Sequence, residues 1–186
     1  MKACYLPILL TLFTLVAVKA KDESLSDRIA DIYIQRTANA GLPDIRQGPP
    51  PILEVRAFFS IDYTTGSRTG AYILRKTRSG WQAWRLALVP DSKKGHSAKP
   101  IPIKPKTSWN EVWTELKQND IFTLPDQSEL KNQTPALGGI SFDIQIRTAK
   151  HFRAYGYLNP QDQGSKQPFK KFSDIYKVFN NQFVDQ

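Results

Sequence analysis

Residues 140–158, with the sequence ISFDIQIRTAKHFRAYGYL, contain the clearest strand pattern in the chain. Apolar and polar side chains alternate without exception from Ile140 to Arg147, which is the two-residue period of a strand with one buried face. A second run follows from His151 to Leu158. Two such runs separated by a short polar segment predict an antiparallel hairpin.

The length of the turn determines which side chains of this hairpin share a face. A three-residue turn that begins at Thr148 pairs Ile146 with Phe152 and keeps one face wholly apolar. A two-residue turn sets Arg153 and Tyr155 against the isoleucines instead. Because a shift of one residue moves every side chain to the opposite face, the apolar pattern favours the three-residue turn.

In that register, the polar face of the hairpin carries cationic and aromatic side chains, and we expect it to be a binding face. Exposed rings beside positive charges can bind sugars, bases or a protein partner. The alternative is an ordinary solvated sheet face that is stabilised by cross-strand pairs. The predicted binding residues, with one arginine from a neighbouring strand, are Asp143, Arg147, His151, Arg153, Tyr155, Tyr157 and Arg85.

The pattern outside this hairpin predicts three more strands and three helices. Alternation from Leu53 to Ile61 predicts a strand with one core face and one solvent-facing side. A two-residue turn at Ser79-Gly80 would pair Ile73 with Leu86. The predicted strands are 52–63, 71–78 and 81–90, and the predicted helices are 24–40, a helix opened by the capping box Ser108–Glu111, and 168–182.

These elements predict one α+β domain over residues 21–186, an antiparallel sheet of about five strands flanked by three helices. Two segments lack a helical or strand period. Residues 43–51 form a Pro-rich connector, because its prolines fix an extended backbone. Residues 91–107 form a basic loop, which is either an arm that reaches an anionic surface or a solvated connection.

The first twenty residues have the layout of a secretory signal peptide. Lys2 precedes an apolar run over residues 5–18, and small residues lead to a predicted cleavage after Ala20. The run is shorter than the roughly 20 residues that a spanning helix needs, so no transmembrane span is expected in the mature chain. The predicted location is the periplasm or the extracellular space.

Cleavage would also remove Cys4, the sole cysteine, so the mature chain has no means of forming a disulfide or a thiolate metal site. Exported proteins without cysteine are more typical of a bacterial envelope. The whole chain has a formal net charge of +9, and +7 remains once Lys2 and Lys19 are removed. This balance predicts an anionic partner, an acidic glycan or a lipid headgroup, with a protein partner as the alternative and nucleic acid not expected. The other interpretation is that the net charge only keeps a small domain soluble.

No catalytic motif is found in the sequence. Ser141, Asp143 and His151 have the residue types of an acyl-transfer triad, but they lie at opposite ends of the predicted hairpin, whereas nucleophile and base must touch. There is no Gly-x-Ser-x-Gly motif. With two histidines and no cysteine left, we expect no metal site and no cofactor.

The predicted function is therefore non-catalytic binding of an anionic partner. One alternative is a hydrolase that acts on the cell wall or a glycan, with Asp143 and Glu54 as its carboxylates. Another is a secreted effector or inhibitor that docks on a protein.

The C-terminal part of the chain combines several short motifs. A helix with Trp109 and Trp113 is followed by IFTLPD at residues 121–126, by a strand pair that ends in YGYLNP at residues 155–160, and by an aromatic helix. Residues 109–183 thereby resemble a module of uncharacterised exported bacterial proteins. The resemblance covers under half of the chain and implies no activity.

Overall fold

The computed structural model describes residues 24–38, 40–62, 68–91, 95–97, 100–131, 139–163 and 167–183. The predicted signal peptide, residues 1–20, and parts of the basic loop lie outside them. The helices are α1 (Leu25–Ala38), α2 (Trp109–Gln118) and α3 (Phe169–Phe183). The strands are β1 (Leu53–Asp62), β2 (Arg68–Thr77), β3 (Gly80–Asp91), β4 (Gly95–Ser97), β5 (Ile101–Pro102), β6 (Gly139–Thr148) and β7 (Phe152–Leu158).

The strands form one antiparallel sheet in the order β4-β3-β2-β1-β6-β7, and β5 pairs with β3 beside this path. The α+β class is therefore confirmed. The path has six strands rather than about five, because the three-residue β4 joins the five long strands that alternation predicted. Segments as short as β4 and β5 contain too few residues to show a two-residue period.

Helices α2 and α3 cover one face of the sheet, which we call the α3 face. The predicted capping box begins α2: Ser108 Oγ accepts a hydrogen bond from Glu111 N at 3.2 Å, and the Glu111 carboxylate accepts one from Ser108 N at 2.8 Å. Apolar residues recur at helical spacing along α3, so one side of it is buried against the sheet. The core on this face includes Phe142, Ile144, Leu116, Phe172 and Phe179.

Helix α1 covers part of the opposite face, which we call the α1 face. There Tyr33 stacks on Phe58, with ring centroids 3.8 Å apart, in a second core cluster that also contains Ile73 and Leu86. The prediction that β1 has a solvent-facing side is wrong. Residues 54–58 are all buried, because helices and the Pro-rich connector cover both faces of this strand.

The register of the last hairpin also differs from the prediction. Ile146 lies opposite Arg153 and Ile144 opposite Tyr155, and Thr148 N donates to the carbonyl of His151 at 2.8 Å. The turn therefore has two residues rather than three. The predicted register assumed that a tyrosine belongs on a wet face, whereas a tyrosine ring can be buried if its hydroxyl finds an acceptor.

Contacts on both sides of β7 explain why this register is stable. The Tyr155 hydroxyl donates to the carbonyl of Ile121 at 2.5 Å, and the Tyr157 hydroxyl donates to the carbonyl of Pro125 at 2.8 Å. On the α1 face, the middle of β7 presents the small residues Ala154 and Gly156. A Cβ at Gly156 would lie 1.9 Å from Asp143 Oδ1, so this close approach requires glycine.

The β2–β3 hairpin is shifted by two residues from the predicted pairing. Thr77 pairs with Gly80 and Ile73 with Trp84, so Arg78-Ser79 is the two-residue turn. A shift of two residues leaves every side chain on the same face. Ile73 and Leu86 accordingly still share the α1 face as predicted, although they are not direct partners.

Candidate functional site

The predicted binding face of the last hairpin is divided between the two sides of the sheet. Arg153, Tyr155 and Tyr157 point to the α3 face, while Asp143 and Arg147 point to the α1 face. His151 is exposed at the turn, and Arg85 lies opposite Tyr72 of β2. The prediction that these residues share one surface is wrong, because it depended on the three-residue turn.

Arg153, Tyr155 and Tyr157 donate hydrogen bonds to backbone carbonyls within residues 121–125. Arg153 donates to the carbonyls of Phe122, at 2.5 Å, and Leu124, and its guanidinium lies 4.9 Å from the centre of the Tyr155 ring. Burial raises the pKa values of Tyr155 and Tyr157 well above the ordinary range of tyrosine. These side chains therefore support the segment before the 3₁₀ helix at residues 127–129, and the two rings are not exposed for stacking.

Asp143 connects α1 to the sheet. Its carboxylate accepts a hydrogen bond from the Tyr33 hydroxyl at 2.5 Å. Asp143 lies opposite Phe58 and Arg147 opposite Glu54, so Asp143 and Glu54 are four residues apart along the strands, about 13 Å at about 3.3 Å per residue. The carboxyl groups of a glycosidase are roughly 5–9.5 Å apart. This strand geometry does not support the carboxylate pair of the hydrolase alternative.

A cleft of about 700 Å³ opens on the α1 face, beyond α1. We call it the arginine cleft. The Pro-rich connector supplies one wall, and the ends of β1, β2 and β6 supply the remainder. Its charged lining consists of four arginines and two carboxylates, namely Arg56, Arg75, Arg78, Arg147, Asp44 and Glu54.

The floor of the arginine cleft is a buried ionic cluster around Glu54. The Glu54 carboxylate accepts from Arg56 Nε at 2.7 Å and from Arg75 Nε at 2.8 Å. Strand geometry explains the cluster, because Arg56 is two residues from Glu54 on the same face of β1 and Arg75 is the cross-strand partner of Glu54 in β2. Arg56 is only 2% exposed, and burial lowers its pKa, while Glu54 opposes that effect.

Gln145 lies directly opposite Arg56 in β6 and is equally buried. Its Nε2 is the single buried side-chain nitrogen or oxygen without a hydrogen-bond partner in the part of the chain that the structure describes. A buried polar group of this kind is costly, and it lies beside the floor of the cleft rather than among its lining residues.

Two arginines hold the Pro-rich connector in place. Arg147 donates to the carbonyls of Ile45 at 2.5 Å, Gly48 at 2.7 Å and Gln47. Arg46 forms ion pairs with Asp44 at 2.8 Å and with two aspartates of α1. The wall of the cleft is therefore fixed by hydrogen bonds and ion pairs within the protein.

Asp44 is the carboxylate of the connector that contacts Arg46. Its burial acts to raise its pKa, but the hydrogen bonds and charge of Arg46 outweigh burial and hold that pKa below its ordinary value. Asp44 therefore stays ionised at neutral pH and is one of three aspartates that share Arg46.

The arginine cleft has an excess of positive charge. Its four arginines exceed its two carboxylates by two, and both carboxylates already accept hydrogen bonds from arginine. Arg78 is exposed at the rim. Among the described residues, its side chain forms no ion pair and no hydrogen bond. Guanidinium groups match carboxylate and phosphate oxygens, so the cleft has the chemistry of an anion site.

Sequence reasoning missed the roles of Glu54 and Arg75. A signal was present in LEVRA at residues 53–57, where opposite charges two residues apart interrupt a run of strand-forming residues. Such a pair lies on one face and can form a buried ion pair if that face is covered. The wet-face interpretation of β1 concealed this possibility.

Within the described ranges, no group of three or more His, Cys, Asp or Glu side chains is placed to hold a metal ion. Across that same portion of the chain, no helix combines the length and apolar character that are needed to cross a membrane.

No family model matches this chain, and no curated protein is similar to it. The resemblance of residues 109–183 to a module of exported bacterial proteins therefore stays a prediction.

Proposed function

We propose that this protein is an exported, non-catalytic binding protein that recognises an anionic partner through the arginine cleft. The observation that carries the proposal is the excess of two positive charges among the residues that line this cleft. The signal-like first twenty residues support the export, and the basic net charge supports attraction of an anion over longer distances.

The hydrogen bonding of the cleft favours binding over catalysis. Glu54 accepts from two arginines, and Asp44 accepts from Arg46. Both carboxylates are therefore already engaged as hydrogen-bond acceptors, and the lowered pKa of Asp44 makes that residue a poor proton donor. Arg78 and the outer part of Arg75, whose side chain is 29% exposed, stay accessible to a ligand.

The proposal is tested with Arg78→Glu, because Arg78 lines the cleft and its side chain is exposed. The probe is fluorescein-labelled polyglutamate, and the measurement is its anisotropy at several salt concentrations. We expect binding that weakens steeply with salt. Arg78→Glu should weaken it at least fivefold, which corresponds to about 1 kcal/mol.

The matched control is Arg28→Glu, which makes the same charge change at an exposed position of α1 outside the cleft lining. A response that depends on net charge alone would be equal in the two variants. Equal weakening by both variants, or the absence of binding by the unaltered protein, would show that the arginine cleft is not an anion site.

A further inference from the structure

Three segments of the chain meet at one end of the sheet. The antiparallel order places the β2–β3 turn, the start of β1 and the β6–β7 turn at the same end, because Leu53 pairs with both Lys76 and Thr148. The two hairpins and β1 between them are five adjacent strands, which span roughly 19 Å from β3 to β7 at about 4.8 Å between neighbours. We call this end the basic tip and define it as residues 47–52, 76–80 and 147–151.

The basic tip has charges of one sign. None of its three segments contains an acidic residue. Arg78 and Lys150 are exposed there, and Arg147 lies at the adjoining edge of the arginine cleft. Lys76 is exposed at the same end of the sheet on the α3 face, where its Nζ lies 5.5 Å from the centre of the Trp81 ring. The cleft opens between the segments, since Ile52, Arg78 and Ala149 all line it. The excess positive charge of the cleft therefore continues onto a wider surface.

An exposed apolar side chain lies within this cationic surface. Ile52 is 50% exposed and follows three consecutive prolines of the Pro-rich connector. A hydrated polyanion offers nothing for such a side chain to contact. The interface of a bilayer offers both anionic headgroups and apolar groups at the depth of the acyl boundary.

We propose that the basic tip docks on a bilayer surface that contains anionic phospholipids. A headgroup phosphate enters the arginine cleft, Lys76, Arg78 and Lys150 contact neighbouring headgroups, and Ile52 reaches the boundary with the acyl chains. This inference rests on the proposed function, because it identifies the anionic partner of the same cleft. Lipid docking differs from the proposed anion binding because it also requires an apolar contact by Ile52.

The test is cosedimentation of residues 21–186 with vesicles. This segment contains every described element and lacks the apolar N-terminal run. We expect binding to phosphatidylcholine vesicles that contain phosphatidylglycerol and none to phosphatidylcholine alone. Arg78→Glu should weaken vesicle binding at least fivefold, since each basic residue near an anionic surface contributes about that factor.

Ile52→Ser separates lipid docking from anion binding in general. This variant should lose vesicle affinity several-fold and bind polyglutamate as the unaltered protein does. Ile32→Ser is the matched control, because Ile32 is 59% exposed on α1 and lies outside the basic tip. It should leave both kinds of binding unchanged.

The outcomes distinguish the two proposals. Polyglutamate binding that is sensitive to Arg78→Glu, with no binding to anionic vesicles, overturns lipid docking and leaves the proposed function standing. Vesicle binding that is unaffected by Ile52→Ser also overturns docking as described. If neither polyglutamate nor vesicles bind, both proposals are wrong.

Discussion

Replacement of Asp126 by alanine should cause a large loss of stability for a single substitution near the surface. Asp126 is 7% exposed and begins the 3₁₀ helix at residues 127–129. Its Oδ1 accepts from Ser128 N at 2.8 Å, and its Oδ2 accepts from Gly156 N, also at 2.8 Å. One carboxylate therefore caps a helix and satisfies a buried amide of β7.

The position of Gly156 explains why that second bond matters. β7 is the last strand of the sheet path, so its outward amides have no neighbouring strand. Side chains satisfy them instead: Ala154 N donates to Ser26 Oγ, Gly156 N to Asp126 Oδ2 and Leu158 N to Gln127 Oε1. Unpaired edge amides invite pairing with other chains, so these side chains also protect the protein from association.

The expected cost follows from the two lost bonds of Asp126. Loss of a helix N-cap costs about 0.5–2 kcal/mol. A buried amide left without a partner costs about 1–3 kcal/mol. We expect Asp126→Ala to lower the free energy of unfolding by about 3 kcal/mol and the Tm by roughly 6–12 °C for a chain of this size.

Urea unfolding followed by circular dichroism measures this change, and hydrogen exchange at the Gly156 amide should accelerate in the same variant. Asp162→Ala is the control, because it removes an equal charge from an exposed position in the 3₁₀ helix at residues 160–163. If Asp126→Ala does not fold, Asp126→Asn, which keeps one acceptor oxygen, should give an intermediate loss. If the free energy of unfolding of Asp126→Ala and Asp126→Asn is no lower than that of Asp162→Ala, the argument is refuted.

Two further predictions concern the arginine cleft. Glu54→Gln should lower the free energy of unfolding by roughly 3–5 kcal/mol, because it leaves the buried Arg56 and the partly buried Arg75 without their shared counterion. In urea unfolding, the Glu54→Leu, Arg56→Met double variant should be more stable than Glu54→Gln, and a double variant that is less stable would contradict this reasoning. The pKa of Asp44 is lower in the folded protein than in the unfolded chain, so its stabilising contribution is complete above the unfolded value of about 3.8 and is lost as the pH falls through the folded value. Urea midpoints measured from neutral to strongly acidic pH should fall less in Asp44→Asn than in the unaltered protein. If the midpoints of the two proteins fall equally, the Asp44–Arg46 pair is not the cause of the loss of stability in acid.

Local pattern predicted the elements of this fold well. Alternation identified the five long strands, and Ser108 with Glu111 fixed the start of α2, because period and capping depend on neighbouring residues alone. The class followed from those elements and their order. The two-residue β5 and the three-residue β4 lie below the length at which a period can be recognised.

The candidate site was less predictable, since it depends on what covers each face of the sheet. The sequence marked Arg147 as a binding residue, whereas in the structure this side chain holds the Pro-rich connector by its carbonyls. Arg56 was interpreted as solvent-exposed and is buried against Glu54. No local sequence pattern predicts that residues 43–51 fold back over the first residues of β1.

The sequence by itself determined the elements, their antiparallel hairpins and the positive charge, because these follow from composition and short-range periodicity. The tertiary structure decided the register of the last hairpin and thereby the side of the sheet on which each polar residue lies. The carbonyls of Ile121 and Pro125 accept the hydroxyls of Tyr155 and Tyr157, so two rings that look exposed in sequence are buried. Those acceptors lie 34 and 32 residues away along the chain, and only folding brings them within hydrogen-bonding distance.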